Sequence, residues 1–409
     1  MPAAAPDLTP LFSPAPQEHA YAVYRELRER APVLRVPGRR TWLVSTHADV
    51  RAIVRDPATW SSHYPEQFGS GLAQRSPDTA RTRAAMAEGF PYVPTLLFQD
   101  GADHRRHRAL LTGALTPARV RALETRIAAI ANDLVDRFDA SGAVDAVAAY
   151  AVPLPIAVLA DMLGVAPQDG ARFRDWAEQL VELGSAPDED AAVASIEQYV
   201  AFQRYMVQRI EERRARPGDD LLSALVAGGD DATVPELLSI CTLLVAAGND
   251  TVTAAIGSLL RRALDDPALL ATLRADRSRI PAAIEETLRI DAPVAIFQRK
   301  ANVDAELRGE RIRRGDMAMV IYASANRDPA RWQEPDRFVL DRPQIRDHLA
   351  FTHGPHHCAG AALARTQARV AFETLLDRFE TLALDPSRPP QLAPDLMTRS
   401  HSALPLLLR

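Results

Sequence analysis

Apolar residues recur at intervals of three and four along most of the chain after residue 100, the period of an amphipathic helix. The spacing predicts helices at residues 104–112, 117–140, 156–163, 171–183, 190–216, 280–289 and 359–379. One stretch, Val234–Asp265, stands apart in length. Pro235 and Glu236 lie near its start and Asp266 and Pro267 at its end, as expected of a helix with defined limits. At about 1.5 Å per residue it would run on the order of 45 Å. Before residue 100 the pattern is mixed. A short helix is expected at residues 19–29, two short strands at 33–36 and 41–44 around Pro37 and Gly38, and another short helix at 45–55. Short strands return at 297–300, 306–307 and 317–322, and residues 323–354 look irregular. The first 16 residues, rich in Pro and Ala, read as an extended arm. Residues 61–99 read as a long loop of the kind that lines or covers a binding site. No internal repeat or low-complexity tract breaks the pattern. The expectation is a mainly α chain: one domain over residues 1–409, large and helical, with a small β-rich portion.

Composition removes several function classes. The 409 residues are 47% hydrophobic and 25% charged, ordinary for a globular chain. A net charge of −5 argues against general nucleic-acid binding. Lys300 is the only lysine. With two cysteines, Cys241 and Cys358, a disulfide framework and a multi-thiolate zinc site are both excluded, and a reducing cytoplasm is expected. No signal-peptide pattern precedes Arg25. The uncharged stretch at 146–160 is short for a bilayer and contains Pro153 and Pro155, so no membrane anchorage is expected.

Four clusters could carry chemistry. Cys358 sits among His353, His356 and His357, between Gly354 and Gly360, at the start of an apolar helix. A helix N-terminus favours an anion, so the thiol should ionise readily and serve as a nucleophile or metal ligand. Cys241 has no such setting and reads as a buried, inert residue. In the middle of the long helix, Gly248 would let a small ligand approach the backbone. Thr251 could turn its hydroxyl to the Ala247 carbonyl, and Asp250 beside it offers a titratable proton. Glu286 and Arg289 share a helix face, which alone is commonly a salt bridge of little weight. His104 and Arg108, four apart, present donors to a carboxylate or phosphate, a pattern that a basic solvated face would also produce.

Taken in order, these motifs resemble the cytochrome P450 family in its soluble bacterial branch. Phe351, Gly354, His356, Cys358 and Gly360 match the thiolate-loop signature, with Thr352 in place of the usual Gly, so that turn should be tighter or differently hydrogen-bonded. Ala247, Gly248, Asp250 and Thr251 match the long-helix motif, and Glu286 and Arg289 the E-x-x-R motif. Residues 326–329 and 335–338 also resemble the stretch that precedes the thiolate loop. The resemblance implies that Cys358 is the proximal ligand of a b-type haem, with His104, Arg108, Arg299 and His356 binding its propionates. It implies that Asp250 and Thr251 deliver protons on the distal side, with O2 as co-substrate. Glu286, Arg289 and Arg337 would form a structural charge network, with Arg342 as the alternative third member. The implied activity is monooxygenation of a hydrophobic small molecule, terpenoid, steroid or fatty-acid-like, with electrons from NAD(P)H through a reductase and a ferredoxin. Another haem-thiolate reaction, such as peroxygenation, oxidative coupling or isomerisation, is the alternative. Pocket residues carried over by position are Phe90, Tyr92, Leu97, Leu244, Ala247, Val294, Ile296, Phe297 and Met397, with Tyr92 and Gln298 able to hydrogen-bond a polar group. Arg105, Arg106, Arg365 and Arg369 would offer a basic docking surface to an acidic ferredoxin. A cytoplasmic monomer is expected.

Overall fold

The computed structural model describes residues 6–13, 16–64, 78–138, 142–182, 186–229 and 231–409. Its helices are α1 (Pro16–Arg30), α2 (His47–Arg55), α3 (Ala80–Ala87), α4 (Gly101–Ala114), α5 (Pro117–Val135), α6 (Pro153–Met162), α7 (Gly170–Glu182), α8 (Glu189–Ala215), α9 (Leu221–Gly228), α10 (Val234–Asp265), α11 (Pro267–Ala275), α12 (Ile280–Ile290), α13 (Tyr322–Ala325) and α14 (Ala361–Arg378). Its strands are β1 (Val33–Arg35), β2 (Thr41–Val44), β3 (Trp60–Ser61), β4 (Ala143–Asp145), β5 (Phe297–Ala301), β6 (Ala305–Leu307), β7 (Glu310–Ile312), β8 (Met317–Val320), β9 (Leu382–Leu384), β10 (Gln391–Leu392), β11 (His401–Ala403) and β12 (Pro405–Leu408). The fold is mainly α with small sheets.

The chain forms two compact units, each built from separated stretches. The first holds Met1–Ser62, Glu124–Leu154 and Asp250–Arg409; the second holds His63–Leu123 and Pro155–Asn249. All the strands named above belong to the first. A five-stranded sheet runs in the order β1-β2-β8-β5-β3, with β2 and β8 parallel and the other neighbours antiparallel. β12 pairs antiparallel with both β4 and β9, closing a three-stranded sheet across more than 200 residues of sequence. The main core of this unit packs Leu134 of α5, Leu259 and Leu260 of α10, Ile284 and Leu288 of α12, and Phe372 and Leu375 of α14. A second cluster gathers Trp42, Val44, Ile53, Ala318 and Val320 between the larger sheet and α2. In the second unit, Phe173 and Trp176 of α7 meet Phe202 of α8 with ring centroids 6.3 and 5.9 Å apart.

Helix limits follow from side-chain caps on the orphan N–H groups of the first turn. Thr46 accepts from Asp49 N at the head of α2, Asp188 from Ala191 N at α8, and Asp266 from Ala268 N and Leu269 N at α11. α10 opens with a reciprocal cap, in which Glu236 accepts from Thr233 N at 2.8 Å and Thr233 Oγ1 from Glu236 N at 3.3 Å. The limits of the long helix are those expected from its flanking prolines and acids. Among the described residues α10 is the helix long and apolar enough to cross a membrane by length and composition, and 56% of its apolar window is buried.

The structure departs from the sequence expectations in four places. Residues 61–99 are not all loop: they contain α3, capped by Thr79 and Thr82, and a 3-10 turn at Leu96–Phe98. Residues 65–77 of that stretch lie outside the described residues. The arm is not extended throughout, because Thr9–Phe12 coil into a 3-10 turn that buries Leu11 against α1; residues 1–5 and 14–15 lie outside the description. Helices α9 and α11 were not anticipated, since both are short and have little polar periodicity. Strands β4 and β9–β12 are two to four residues long, and β4 finds its partner β12 only some 260 residues later.

Candidate active site

Cys358 ends a loop that starts at Phe351 and leads into α14. It remains a thiol, exposed, rather than half of a disulfide. Cys241, by contrast, has no exposed surface, and burial pushes its thiol up to about 12. Main-chain bonds hold the loop on both sides of the cysteine: Cys358 N donates to Phe351 O at 3.0 Å, His357 N to Gly354 O at 3.1 Å, and Ala361 N to Cys358 O at 3.4 Å. Gly354 takes a φ of 75°, and a Cβ there would lie 2.9 Å from the Val54 carbonyl of α2. Only glycine satisfies both demands. Thr352 also takes a left-handed φ, 52°, which costs a non-glycine residue about 1–2 kcal/mol. Its amide donates to Leu349 O at 2.9 Å, and its hydroxyl accepts from the buried Tyr322 hydroxyl at 3.2 Å. A glycine could not offer that second bond.

The same unit holds Arg299 on β5, only 2% exposed. Its Nη1 donates to Gln298 O at 2.7 Å, and its guanidinium carbon lies 5.5 Å from the Phe297 ring. Among the described residues no carboxylate pairs with it. A buried guanidinium calls for an anion, and a haem propionate is one. His356, within the thiol loop, is buried as well. An accessible thiol, a buried cation and a buried imidazole in one unit fit the haem that the resemblance implies.

His104 and Arg108 lie on α4 of the second unit, His104 buried and Arg108 half-buried. Between them His107, which drew no notice in the sequence, has no exposed surface. Its Nδ1 lies 2.6 Å from Gln99 Oε1 and its Nε2 3.2 Å from Glu236 Oε1. The alternating His-Arg pattern gave no sign that this third position faces inward.

Within α10, residues through Asn249 belong to the second unit and those from Asp250 to the first. Asp250 and Thr251 are half-buried. Burial, reinforced by the Asp395 carboxylate, raises the Asp250 carboxyl above the usual carboxylate range. Gly248 serves a different purpose from the one expected. A Cβ there would lie 3.3 Å from Leu159 Cδ1, so the glycine answers the close packing of α6 rather than a ligand's approach.

Beneath the thiol loop lies a buried ionic network. Glu286 and Arg289 of α12 have no exposed side-chain surface and meet in a bidentate pair, both bonds 2.8 Å. The third member is Arg342, not Arg337. Arg342 Nε lies 3.0 and 3.1 Å from the two Glu286 oxygens. The Arg337 guanidinium turns outward to Glu334, while its carbonyl accepts from Arg289 and Arg342 at 3.1 and 2.8 Å. Arg289 Nη1 also donates to Asn326 O and Pro335 O, each at 2.8 Å. Next to this network, Glu285 binds Arg365 and His348, with Arg365 Nη2 and His348 Nε2 each 3.0 Å from Oε2. The Arg365 guanidinium carbon also lies 4.4 Å from the Phe351 ring. Burial alone would raise the Glu285 carboxyl, but hydrogen bonds from His348 and Arg365 outweigh it and bring it to about 2.

The expected pocket residues divide. Phe90, Leu97, Leu244, Val294, Phe297 and Met397 are half-buried, and Tyr92 and Ala247 are exposed. Ile296 sits in the apolar core beside α1, at 1% exposure. Gln298, the other expected hydrogen-bonding residue, is half-buried on β5. The expected docking arginines are largely committed elsewhere. Arg106 pairs with Glu236, Arg365 with Glu285, and Arg369 with Glu124 and Glu373. Arg105 is exposed and makes no ion pair among the described residues.

Comparison with known proteins agrees with this geometry. The family model for cytochrome P450 matches residues 190–405. Cytochrome P450 107B1 of Saccharopolyspora erythraea is 37% identical over 391 residues, 93% of this chain and 92% of that protein. The structure of cytochrome P450 CYP109Q5 from Chondromyces apiculatus superposes with a TM-score of 0.84 at 34% identity, covering 97% of each chain. CYP109E1 from Bacillus megaterium in complex with testosterone gives 0.82 at 28% identity, covering 95% of this chain and 98% of that one.

Two outcomes test the network. Arg342→Ala should lower stability by about 3 kcal/mol, because it strips a partner from a dehydrated carboxylate. Arg337→Ala should change it by less than about 0.5 kcal/mol, because only a surface pair is lost. Chemical denaturation of both variants measures the difference. The depressed Glu285 carboxyl stabilises the fold above its unfolded value, about 4.3, and that contribution is lost as pH falls toward about 2. Acid titration of stability should therefore be shallower in Glu285→Gln over that interval.

Proposed function

The chain belongs to the cytochrome P450 family and is a haem-thiolate monooxygenase, and we propose that Cys358 ligates a b-type haem and that the substrate is a hydrophobic small molecule. The observation that carries this reading is the exposed Cys358 thiol on a loop pinned at Phe351, Gly354 and Thr352, in one unit with the carboxylate-free Arg299. Bound haem supplies a thiolate-ligated iron suited to O2 activation. Arg299 and His356 would neutralise and orient the propionates from buried positions, where such contacts are least screened. His104 and Arg108 are carried over to the same task on their family positions alone.

Asp250 and Thr251 form the proton-handling pair. An aspartic acid whose carboxyl is raised by burial and by Asp395 keeps its proton to a higher pH than a solvated one. That lets it donate to the neighbouring hydroxyl and recover the proton from solvent. An intact acid and alcohol favour O2-dependent turnover over a peroxide-driven reaction. The half-buried and exposed apolar residues Phe90, Leu97, Leu244, Ala247, Val294, Phe297 and Met397 support a hydrophobic substrate. CYP109E1 in complex with testosterone and P450BioI in complex with a hexadecenoic acid ligated acyl carrier protein, each 28% identical, support the steroid and fatty-acid classes alike. Electrons would come from NAD(P)H through a reductase and a ferredoxin, with Arg105 as the docking cation that remains uncommitted. We place the enzyme in the cytoplasm as a monomer.

The ferrous–CO complex of the purified protein should show the red-shifted Soret band of thiolate ligation, and Cys358→Ser should lose it. A wild-type complex without that band would sink the assignment. Thr251→Ala should leave NADH consumption within about threefold while product falls by about tenfold or more and peroxide rises, because a lost proton donor typically costs 10²–10⁴ in the step it serves. Coupled assays of NADH, product and peroxide report all three.

A further inference from the structure

We propose that Gln203 sets the position of the substrate-facing segment 89–98, making it a positioning residue for pocket specificity; this rests on the reading of Phe90, Tyr92 and Leu97 as pocket residues. Every group in the argument lies in the second unit. Gln203, in α8, is 1% exposed. Its Nε2 donates to Phe90 O at 3.1 Å and its Oε1 accepts from Phe90 N at 3.0 Å. One side-chain amide thus satisfies both polar groups of one residue's backbone, as a neighbouring strand would. Gly89 makes the approach possible. A Cβ there would lie 2.3 Å from Gln203 Oε1 and 2.9 Å from Val200 Cγ2, so no other residue leaves the amide in place.

The segment is held at two further points, and its C-terminal neighbour Gln99 at a third. Ser239 Oγ of α10, 3% exposed, accepts from Val93 N at 3.1 Å. His63 Nδ1 lies 3.1 Å from Phe98 O. His107 Nδ1 lies 2.6 Å from Gln99 Oε1. Between these points Leu96 takes a left-handed φ of 38° with its side chain buried, a conformation that persists only where the surroundings impose it. A surface loop ordinarily gives its main-chain polar groups to water or to its own turns. This one turns on itself at Gly89 and Phe98, but gives the main-chain groups of Phe90 and the Val93 amide to side chains of α8 and α10. The segment is therefore a fixed wall that moves with α8, and ligands that pack on it read the length of the residue 203 side chain.

The test uses the haem-loaded, full-length protein and two azoles. Imidazole and 4-phenylimidazole both bind iron through nitrogen, and only the second carries an additional apolar ring. Gln203→Met keeps the volume and removes both bonds. It should weaken 4-phenylimidazole at least fivefold by Soret titration, with imidazole changed less than twofold. Exchange protection of the Phe90 and Val93 amides should fall at least tenfold. Ser239→Ala, a smaller change, should shift the same ratio in the same direction and carries the test if Gln203→Met fails to fold. Retained amide protection, or lost protection with an unaltered azole ratio, would overturn the proposal. Absence of any Soret response to imidazole in the wild-type protein would instead overturn the haem reading beneath it.

Discussion

Glu286 and Arg289 sit on α12 with no exposed side-chain surface. Moving either ion alone into such a place would cost several kcal/mol. The network repays that by satisfying every direction at once. Arg289 and Arg342 enclose one carboxylate, and the surplus positive charge is spread over the carbonyls of Asn326, Pro335, Arg337, Gln333 and Glu334. Those carbonyls belong to a stretch with little regular structure. The network thus ties residues 326–342 together at five carbonyls, and the thiol loop follows after.

A second ionic layer continues from it. Glu285, the neighbour of Glu286, reaches Arg365 at the head of α14 and His348 just before Phe351. Adjacent residues on one helix therefore brace the segment before the loop and the helix after it. The loop itself adds two left-handed residues, Thr352 and Gly354. Their conformations are tolerated because Tyr322 bonds the first and α2 crowds the second. Cys358 is presented by this framework and joins it through its own main-chain bonds to Phe351 and Ala361, with the residue exposed.

Much of this was legible in the sequence, and the gaps have physical causes. The span of α10 and the short strands β2 and β5 followed from periodicity and turn residues. The spacing of Glu286 and Arg289 correctly put both on one face, but spacing could not choose their third partner. Arg337 and Arg342 are five residues apart in an irregular segment, and only the path of the backbone decides which guanidinium turns inward. Leu221–Gly228 is apolar almost throughout, so α9 had no polar face to announce it. Gly248 invited a reading as a ligand approach, yet Leu159 fills the space. Gln203 gave no signal at all. A glutamine in a long amphipathic helix looks like a surface residue until its partner, 113 residues earlier, is seen.

The two units also differ in when their chain is complete. The second unit ends at Asn249, whereas the first needs β12 at Pro405–Leu408 to pair with β4 at Ala143–Asp145, and Ala371 to accept the Tyr150 hydroxyl. On the ribosome the helical unit has all its residues in hand early. The other must hold α5 and β4 in waiting until the last residues emerge, with apolar surface such as Leu134 and Val147 uncovered in the interval. Contacts so distant in sequence close slowly, and long-lived open surface favours association with other chains. Protein quality control would therefore meet this chain through the waiting α5 and β4, and loss of β12 would strand a segment made some 260 residues earlier.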